Sequence, residues 1–214
     1  MIELVVVMAI LSILATAAVP LTTKLINSKS RSATESEIRS LSDAVAEHFR
    51  DTGRLPANLD GLLTDPGLAG WTGPYIGISA QDKVAGAPGH NFDAWSRPYN
   101  LAIAGDRFTI TSQGADAQSG TADDIRLDLD VTFIRRQATL SELSIINQAV
   151  SLYNAQYMVS APLPLNWRTA LNRLVARRFL PAGTTYLGDG WNQNYVADPS
   201  NRTPVVKITS VNLR

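Results

Sequence analysis

Asp116, Asp123 and Asp124 fall in one short stretch rich in glycine, alanine and serine. Carboxylates so placed suit a hard cation, which takes several oxygen ligands from side chains and backbone carbonyls. Glycines allow such a stretch to fold its carbonyls inward. The spacing is not that of an EF-hand, and a solvated acidic turn with Asx caps is the competing reading. Other chemistry is sparse. The chain has no cysteine, which excludes a disulfide scaffold, a thiolate zinc site and a cysteine nucleophile. Its two histidines, His48 and His90, cannot make a multi-histidine metal centre. His48, beside Phe49 on an amphipathic segment, reads as a helix-surface or groove residue. No Ser–His–Asp combination has recognisable local context and no phosphate-binding glycine loop is present. No catalytic residue is assigned, and the chain is not read as an enzyme.

Charge is unevenly spread. Residues 31–134 carry 8 basic and 15 acidic side chains, whereas residues 135–214 carry 9 basic and 3 acidic ones. Such asymmetry points to electrostatic contact within the chain or between copies. Arg168, Arg173, Arg177 and Arg178 concentrate the positive charge, with Arg173 and Arg177 one helical turn apart. Three readings stand: a solvated face, contact with the acidic part of a neighbouring subunit, or phosphate contacts to DNA. Nucleic acid is the weakest, because few aromatics interleave the arginines. Trp95 and Trp191 are expected to pack cores, with ligand stacking as the alternative.

The elements that must position these groups begin with an apolar N-terminus. No charged residue occurs from Leu4 to Leu21. As a helix this run would be roughly 27 Å long, close to the thickness of a bilayer core. A signal peptide opens with basic residues, whereas this sequence opens Met1-Ile2-Glu3. A carboxylate at the edge of an apolar helix is costly unless paired, so Glu3 calls for a cationic partner, such as one on another copy. Pro20 predicts a kink or a local melting of the helix. From Lys24 to about Phe49 the pattern turns amphipathic, with Ala33, Glu37/Ile38, Leu41, Val45 and Phe49 on one face. Gly53 and Pro56 stop it. Residues 59–63 suggest a helical turn, and 108–111 and 125–129 read as strands.

The second half repeats the first. Seven of the fifteen positions from Arg31 to Val45 are identical at an offset of 105, among them Thr34/Thr139 and Glu37/Glu142. Leu55-Pro56 matches Leu163-Pro164. Asp93-Ala-Trp95 with Tyr99 matches Asp189-Gly-Trp191 with Tyr195, and Ile110-Thr111-Ser112 matches Ile208-Thr209-Ser210. The matches keep their order while the offsets drift, as in duplicated domains with altered loops.

The run from Ile2 and Glu3 through Leu11 and on to Ile13-Leu14-Ala15 and Ala18-Val19-Pro20 resembles the N-terminal helix of type IV pilins and type II secretion pseudopilins. The first head resembles the major pseudopilin in particular. The motifs are Gly73-Pro74-Tyr75, then Asp93-Ala94-Trp95-Ser96-Arg97-Pro98-Tyr99, then Ser112 to Asp116 and Gly120 to Ile125. Ser96 stands where the family has glycine. The resemblance covers residues 2 to about 130. In that family the mature chain usually starts two residues earlier, after a glycine cut by a prepilin peptidase.

The resemblance implies that Glu3 neutralises a neighbour's N-terminal amine. It also implies that residues 4–19, with Leu4, Val7, Leu11 and Leu14 among them, bundle into a filament core ending at Pro20. It implies one structural calcium ion, held by Asp116, Asp123 and Asp124 with backbone oxygens near Ser112 and Ser119. The fold expected is α+β: a long N-terminal hydrophobic helix running into an antiparallel-sheet head, then a second helix-plus-sheet head. The domains expected are a transmembrane or filament-core helix, residues 1–23; a first head, 24–134; and a second head, 135–214.

The function implied is a filament-forming structural subunit, a major pseudopilin of a type II secretion system. The major subunit of a surface type IV pilus and a membrane-anchored minor or tip pilin holding cargo or DNA are the alternatives. The partners implied are copies of the chain in a helical filament, the inner membrane, the assembly machinery and a prepilin peptidase. Before assembly the chain would sit in the inner membrane with periplasmic heads. Afterwards it would lie in a periplasmic pseudopilus or an extracellular filament.

Overall fold

The computed structural model describes residues 2–77, 83–84, 87–181 and 186–213; for 2, 11, 13–21, 83–84 and 87–88 it describes the backbone alone. The chain forms two compact units, Met1–Asp130 and Val131–Arg214.

The first unit opens with helix α1, Ile2–Thr52. The helix runs unbroken through Pro20, where the sequence predicts a kink or melting. Proline forfeits one hydrogen bond and crowds the preceding turn, which can bend a helix without ending it, so the unbroken helix bears on melting and not on a kink. Among the described residues no helix is long and apolar enough to cross a membrane. The span expected over residues 4–21 is thus not shown. Its described apolar side chains from Leu4 to Ile10 cover only about 10 Å of helix, and the side chains of Leu11, Leu14 and Pro20 lie outside the described residues. Further along, α1 buries Thr34, Ile38, Leu41, Val45 and Phe49. Ala33, expected on that face, is exposed, and the polar Thr34 takes its place because its hydroxyl receives a backbone bond. Gly53, at φ +68°, ends the helix by donating to the Phe49 carbonyl at 2.8 Å. This left-handed position suits glycine.

A short ladder pairs β1, Lys83–Val84, with β2, Ala87–Pro88. The main sheet is antiparallel, in the order β3 (Asn100–Ala104), β4 (Arg107–Ser112), β5 (Ile125–Asp130). Phe108 faces Leu129 and Ile110 faces Leu127 across the β4–β5 ladder. Phe108, Ile110 and Ile125 pack with the buried stripe of α1 and with Leu59 and Leu62. The sequence reading located β4 and β5 but not β3, whose run Asn-Leu-Ala-Ile-Ala lacks clean alternation.

In the second unit, helix α2, Thr132–Tyr157, starts two residues after β5. Helix α3, Trp167–Ala176, is capped by Asn166, whose side chain accepts from the Thr169 amide. Strands β6, Val196–Ala197, and β7, Ile208–Thr209, form an antiparallel pair. Ile146, Val150, Tyr153, Leu163, Leu174, Tyr195 and Ile208 are buried together.

Candidate functional site: an acidic loop and the carboxylate that anchors it

The β4–β5 connection, residues 113–124, is the acidic stretch picked out by sequence. It folds on its own carboxylates. Asp123 Oδ2 accepts from the amides of Ala115, at 2.7 Å, and Asp116, at 3.0 Å, and its Oδ1 accepts from the Thr121 hydroxyl at 2.7 Å. The Thr121 bond, opposed by burial and helped by the backbone amides, holds the Asp123 carboxyl down at about 2. Asp116 Oδ1 accepts from the Gln118 amide at 2.8 Å, and Asp124 Oδ2 from the Gly120 amide at 2.7 Å. Gly114, at φ +62°, passes so close that a Cβ there would strike the Asp123 carbonyl.

The three aspartates share one loop but do not converge as a cluster. Among the described residues no group of three or more His, Asp and Glu is placed to hold a metal ion. Four of their six oxygens already accept hydrogen bonds from within the loop, three of them from backbone amides. One fits a cation: Asp124 Oδ1, buried and without a hydrogen-bond partner. Of the weaker ligand expectations, Ser112 lies in the β4 ladder opposite Ile125, and the Ser119 hydroxyl accepts from Gln113 at 2.8 Å.

The loop hangs on a buried carboxylate, Asp93, which the sequence marks through the repeat and the resemblance motif but not as an anchor for this loop. Asp93 Oδ1 accepts from the amides of Trp95 and Arg97, both at 2.9 Å, and Oδ2 accepts from the Ser112 hydroxyl at 2.5 Å. The tight turn this closes puts Ser96 at φ +61°, where the resembling family carries glycine. Arg97 then reaches the loop, its guanidinium donating to the carbonyls of Gly114 and Ala115. Helix α1 ties in through Thr34, whose hydroxyl accepts from the Ala94 amide at 3.1 Å, and Glu37, which accepts from the Tyr99 hydroxyl at 2.9 Å. Burial first, and the Glu37 charge second, push the Tyr99 phenol far above its ordinary range.

The second unit contains a like set of bonds. Asp189 Oδ1 accepts from the amides of Trp191, at 3.0 Å, and Gln193, at 2.9 Å, and Oδ2 accepts from the Ser210 hydroxyl at 2.5 Å. Asn212 adds a side-chain amide to Oδ2 at 2.9 Å. Thr139 accepts from the Gly190 amide at 2.9 Å, and Glu142 from the Tyr195 hydroxyl at 2.7 Å. Asn192, at φ +59°, sits where the first unit has Ser96. Burial pushes the Asp189 carboxyl up, but its four bonds outweigh that and leave it below its ordinary value. Glu142 goes the other way, since burial raises it by more than the Tyr195 bond lowers it.

Other candidates fall differently. His48 is not a surface or groove residue: it is 0% exposed. Nδ1 lies 3.0 Å from the Arg54 carbonyl, which can only accept, so the proton sits there and Nε2 is left buried without a partner. Trp95 lies against the first core, half-buried, with Nε1 donating to Asn27 at 3.3 Å. Trp191 is only half-buried; the second unit's buried tryptophan is Trp167, which donates to the Tyr186 carbonyl at 2.8 Å. Sequence pairing pointed to Trp191 because it follows Asp189, whereas α3 brings its own indole to fill the core.

Two of the four arginines are structural. Arg173 donates to the Pro162 carbonyl at 2.6 Å, and the Arg177 guanidinium lies 4.5 Å from the Tyr157 ring centroid. Arg168 and Arg178 are exposed. At the other end of the chain Glu3 is exposed, and so are Leu4 (64%), Val7 (54%) and Met8 (65%).

A family model described as type II secretion system, protein G, matches residues 21–128, about half of the chain. The chain is also 33% identical over 89 residues to the type II secretion system core protein G of Xanthomonas campestris pv. campestris. That stretch is 40% of this chain and 55% of the relative, so the chain spans about half the length of the curated relative it matches. No solved structure matches the chain.

Proposed function

This chain belongs to the type II secretion system protein G family, the major pseudopilins, and from that premise we propose that it is a structural subunit assembled into a periplasmic pseudopilus. The observation that carries the reading is the uncovered apolar start of α1, where Leu4, Val5, Val6, Val7, Met8 and Ile10 are all more than half exposed. A row of such side chains is unfavourable in water, at about 25 cal/mol per Å² of apolar surface, and gains by packing against copies of itself. A heterologous interface that does not close builds a fibre from such a subunit. Storage of this helix in the inner membrane, use of Glu3 to neutralise a neighbour's amine, and contact with the secretion machinery are parts of the same proposal.

Two further parts concern the heads. The second unit is proposed to be a second pseudopilin-like head without a stalk of its own. The matched bonds of Asp93 and Asp189, and of Glu37 and Glu142, support this. The acidic loop is proposed to take a structural calcium ion. Asp124 Oδ1 would be its free oxygen, and Asp116 and Asp123 would be recruited by turning away from loop amides. Bound there, the ion would supply positive charge that ties the loop down.

The test is Glu3→Ala in a strain overproducing the chain, with sheared material examined by electron microscopy. Loss of fibres, with the protein still folded and abundant, is expected. Normal fibres from the variant would overturn the assigned role of Glu3, and no fibres from the unaltered chain would overturn the assembly reading.

A further inference from the structure

We propose that the basic surface of the second unit docks on the acidic surface of the first unit of a neighbouring copy, with Arg168 and Arg178 meeting Asp43 and Glu47 of α1. The proposal deepens the assembly reading and rests on it for the nearness of copies.

The argument starts from charge. Residues 1–130 carry sixteen acidic and ten basic side chains, and residues 131–214 carry three acidic and nine basic ones. Within the second unit all three carboxylates are committed. Glu142 accepts from Tyr195, Asp189 is buried under four bonds, and Asp198 lies 3.7 Å from Lys207. None is left for the arginines. Arg173 and Arg177 are held by Pro162 and Tyr157, but Arg168 and Arg178 have no side-chain hydrogen bond or ion pair among the described residues.

On the first unit, several carboxylates are already spoken for: Glu35 by Arg31, Asp60 by His90, Asp128 by Arg126. Asp43 and Glu47 are different. They lie one helical turn apart on α1, both exposed, and neither has a hydrogen bond or ion pair among the described residues. Opposite charges of this size on two units of one chain attract copies head to tail, and the contact repeats along a fibre because each copy carries both halves. A second copy is therefore the occupant that the charges select.

The experiment uses the full-length chain in mild detergent, followed by sedimentation velocity at about 50 and about 300 mM salt, a range over which the screening length falls by more than half. Three preparations are compared with the unaltered chain: Arg168→Glu/Arg178→Glu, Asp43→Lys/Glu47→Lys, and an equal mixture of the two. The unaltered chain is expected to self-associate, roughly tenfold more weakly at the higher salt. Each variant alone is expected to lose that salt-sensitive association, and the mixture to regain it. Regain in the mixture cannot come from misfolding.

Association by Arg168→Glu/Arg178→Glu equal to that of the unaltered chain would overturn the proposal. So would loss of binding to phosphatidylglycerol vesicles with self-association intact, which would make the surface a lipid contact instead. Salt-tolerant fibres from this variant would sink the docking contact while leaving the assembly reading in place.

Discussion

Replacing Asp93 by asparagine tests whether one buried carboxylate anchors the first unit. The side chain accepts three hydrogen bonds, two from backbone amides and one from Ser112. Asparagine has the same shape and keeps the oxygen that faces the two amides. It loses the charge, and it turns an NH2 group toward Ser112, which must then rotate to accept. A bond to a charged group contributes about 1.5–3 kcal/mol and a neutral one about 0.5–1.5. Roughly 1 kcal/mol is therefore lost per bond, or about 3 kcal/mol in all. For a unit of this size that corresponds to a fall in Tm on the order of 10 °C. The assay is urea unfolding of the full chain, with amide exchange read at Trp95, Arg97 and Gly114. The last of these amides donates to the Ser112 hydroxyl that Asp93 fixes, at 3.2 Å. A loss below about 1 kcal/mol, with those amides still protected, would refute the reasoning.

Tyr99→Phe and Tyr195→Phe should each cost about 1.5–3 kcal/mol, because each leaves a half-buried carboxylate short of a charge-assisted bond; urea midpoints unchanged from the parent would contradict this. His48 is held below its ordinary value by burial, opposed by the Arg54 carbonyl and the Asp51 charge. Its native state therefore favours the neutral ring, and stability should fall as pH drops below about 6.5 through the lower folded value. His48→Gln should flatten that slope, and an unaltered slope would clear His48. Asp123 has the same sign in a lower window: its bonds stabilise the loop above the ordinary aspartate range, and that contribution should disappear as pH falls toward about 2. Calcium should raise the Tm of the unaltered chain by mass action and leave that of Asp124→Ala unmoved; a calcium-independent melt of the unaltered chain would remove the metal.

The elements legible in the sequence are those whose side chains see one environment per period. The α1 stripe from Ile38 to Phe49 and strand β5 have covered faces that alternate with exposed ones, whereas β4, buried at four of its six residues, is legible from its Phe-Thr-Ile-Thr run of strand-forming residues. Strand β3 was invisible because it lies at the sheet edge with four of its five residues exposed, so no pattern of burial is written into it. Its one signal is Gly105-Asp106, a two-residue turn between apolar runs, with Gly105 at φ +61°. The acidic loop was found by composition, but its internal wiring was not. Whether an aspartate faces a cation or a backbone amide depends on loop dihedrals at Gly114, Ala117 and Gly120 that no residue type dictates. His48 was misplaced because histidine beside phenylalanine is equally at home on a groove. The carbonyl of Arg54, brought back by the turn at Gly53, is what allows the ring to be buried.

The matched bonds of the two units bear on why a polar anchor would persist through the proposed duplication. The cores differ in kind: Phe108, Leu59 and Leu62 fill the first, while Tyr153, Trp167 and Leu174 fill the second. Apolar cores tolerate such exchange as long as volume and patterning are kept. A buried carboxylate does not, because moving or removing it strands two backbone amides and a hydroxyl at once. Asp, Ser, Thr, Glu and Tyr thus hold the turn, the end of a strand and the helix in one geometry while the packing around them drifts. The difference left between the units lies in what the anchor carries. In the first, Arg97 extends it into the acidic loop. In the second, Gln193 stands at that position, and the Asn212 side chain closes on Asp189 directly. Arg97→Gln should therefore detach the loop without unseating the Asp93 turn. The expected result is faster amide exchange at Ala115 and Asp116 with the Trp95 amide still protected. Equal loss at all three would mean that the turn and the loop are a single unit, and that the anchor and the loop cannot have separate roles.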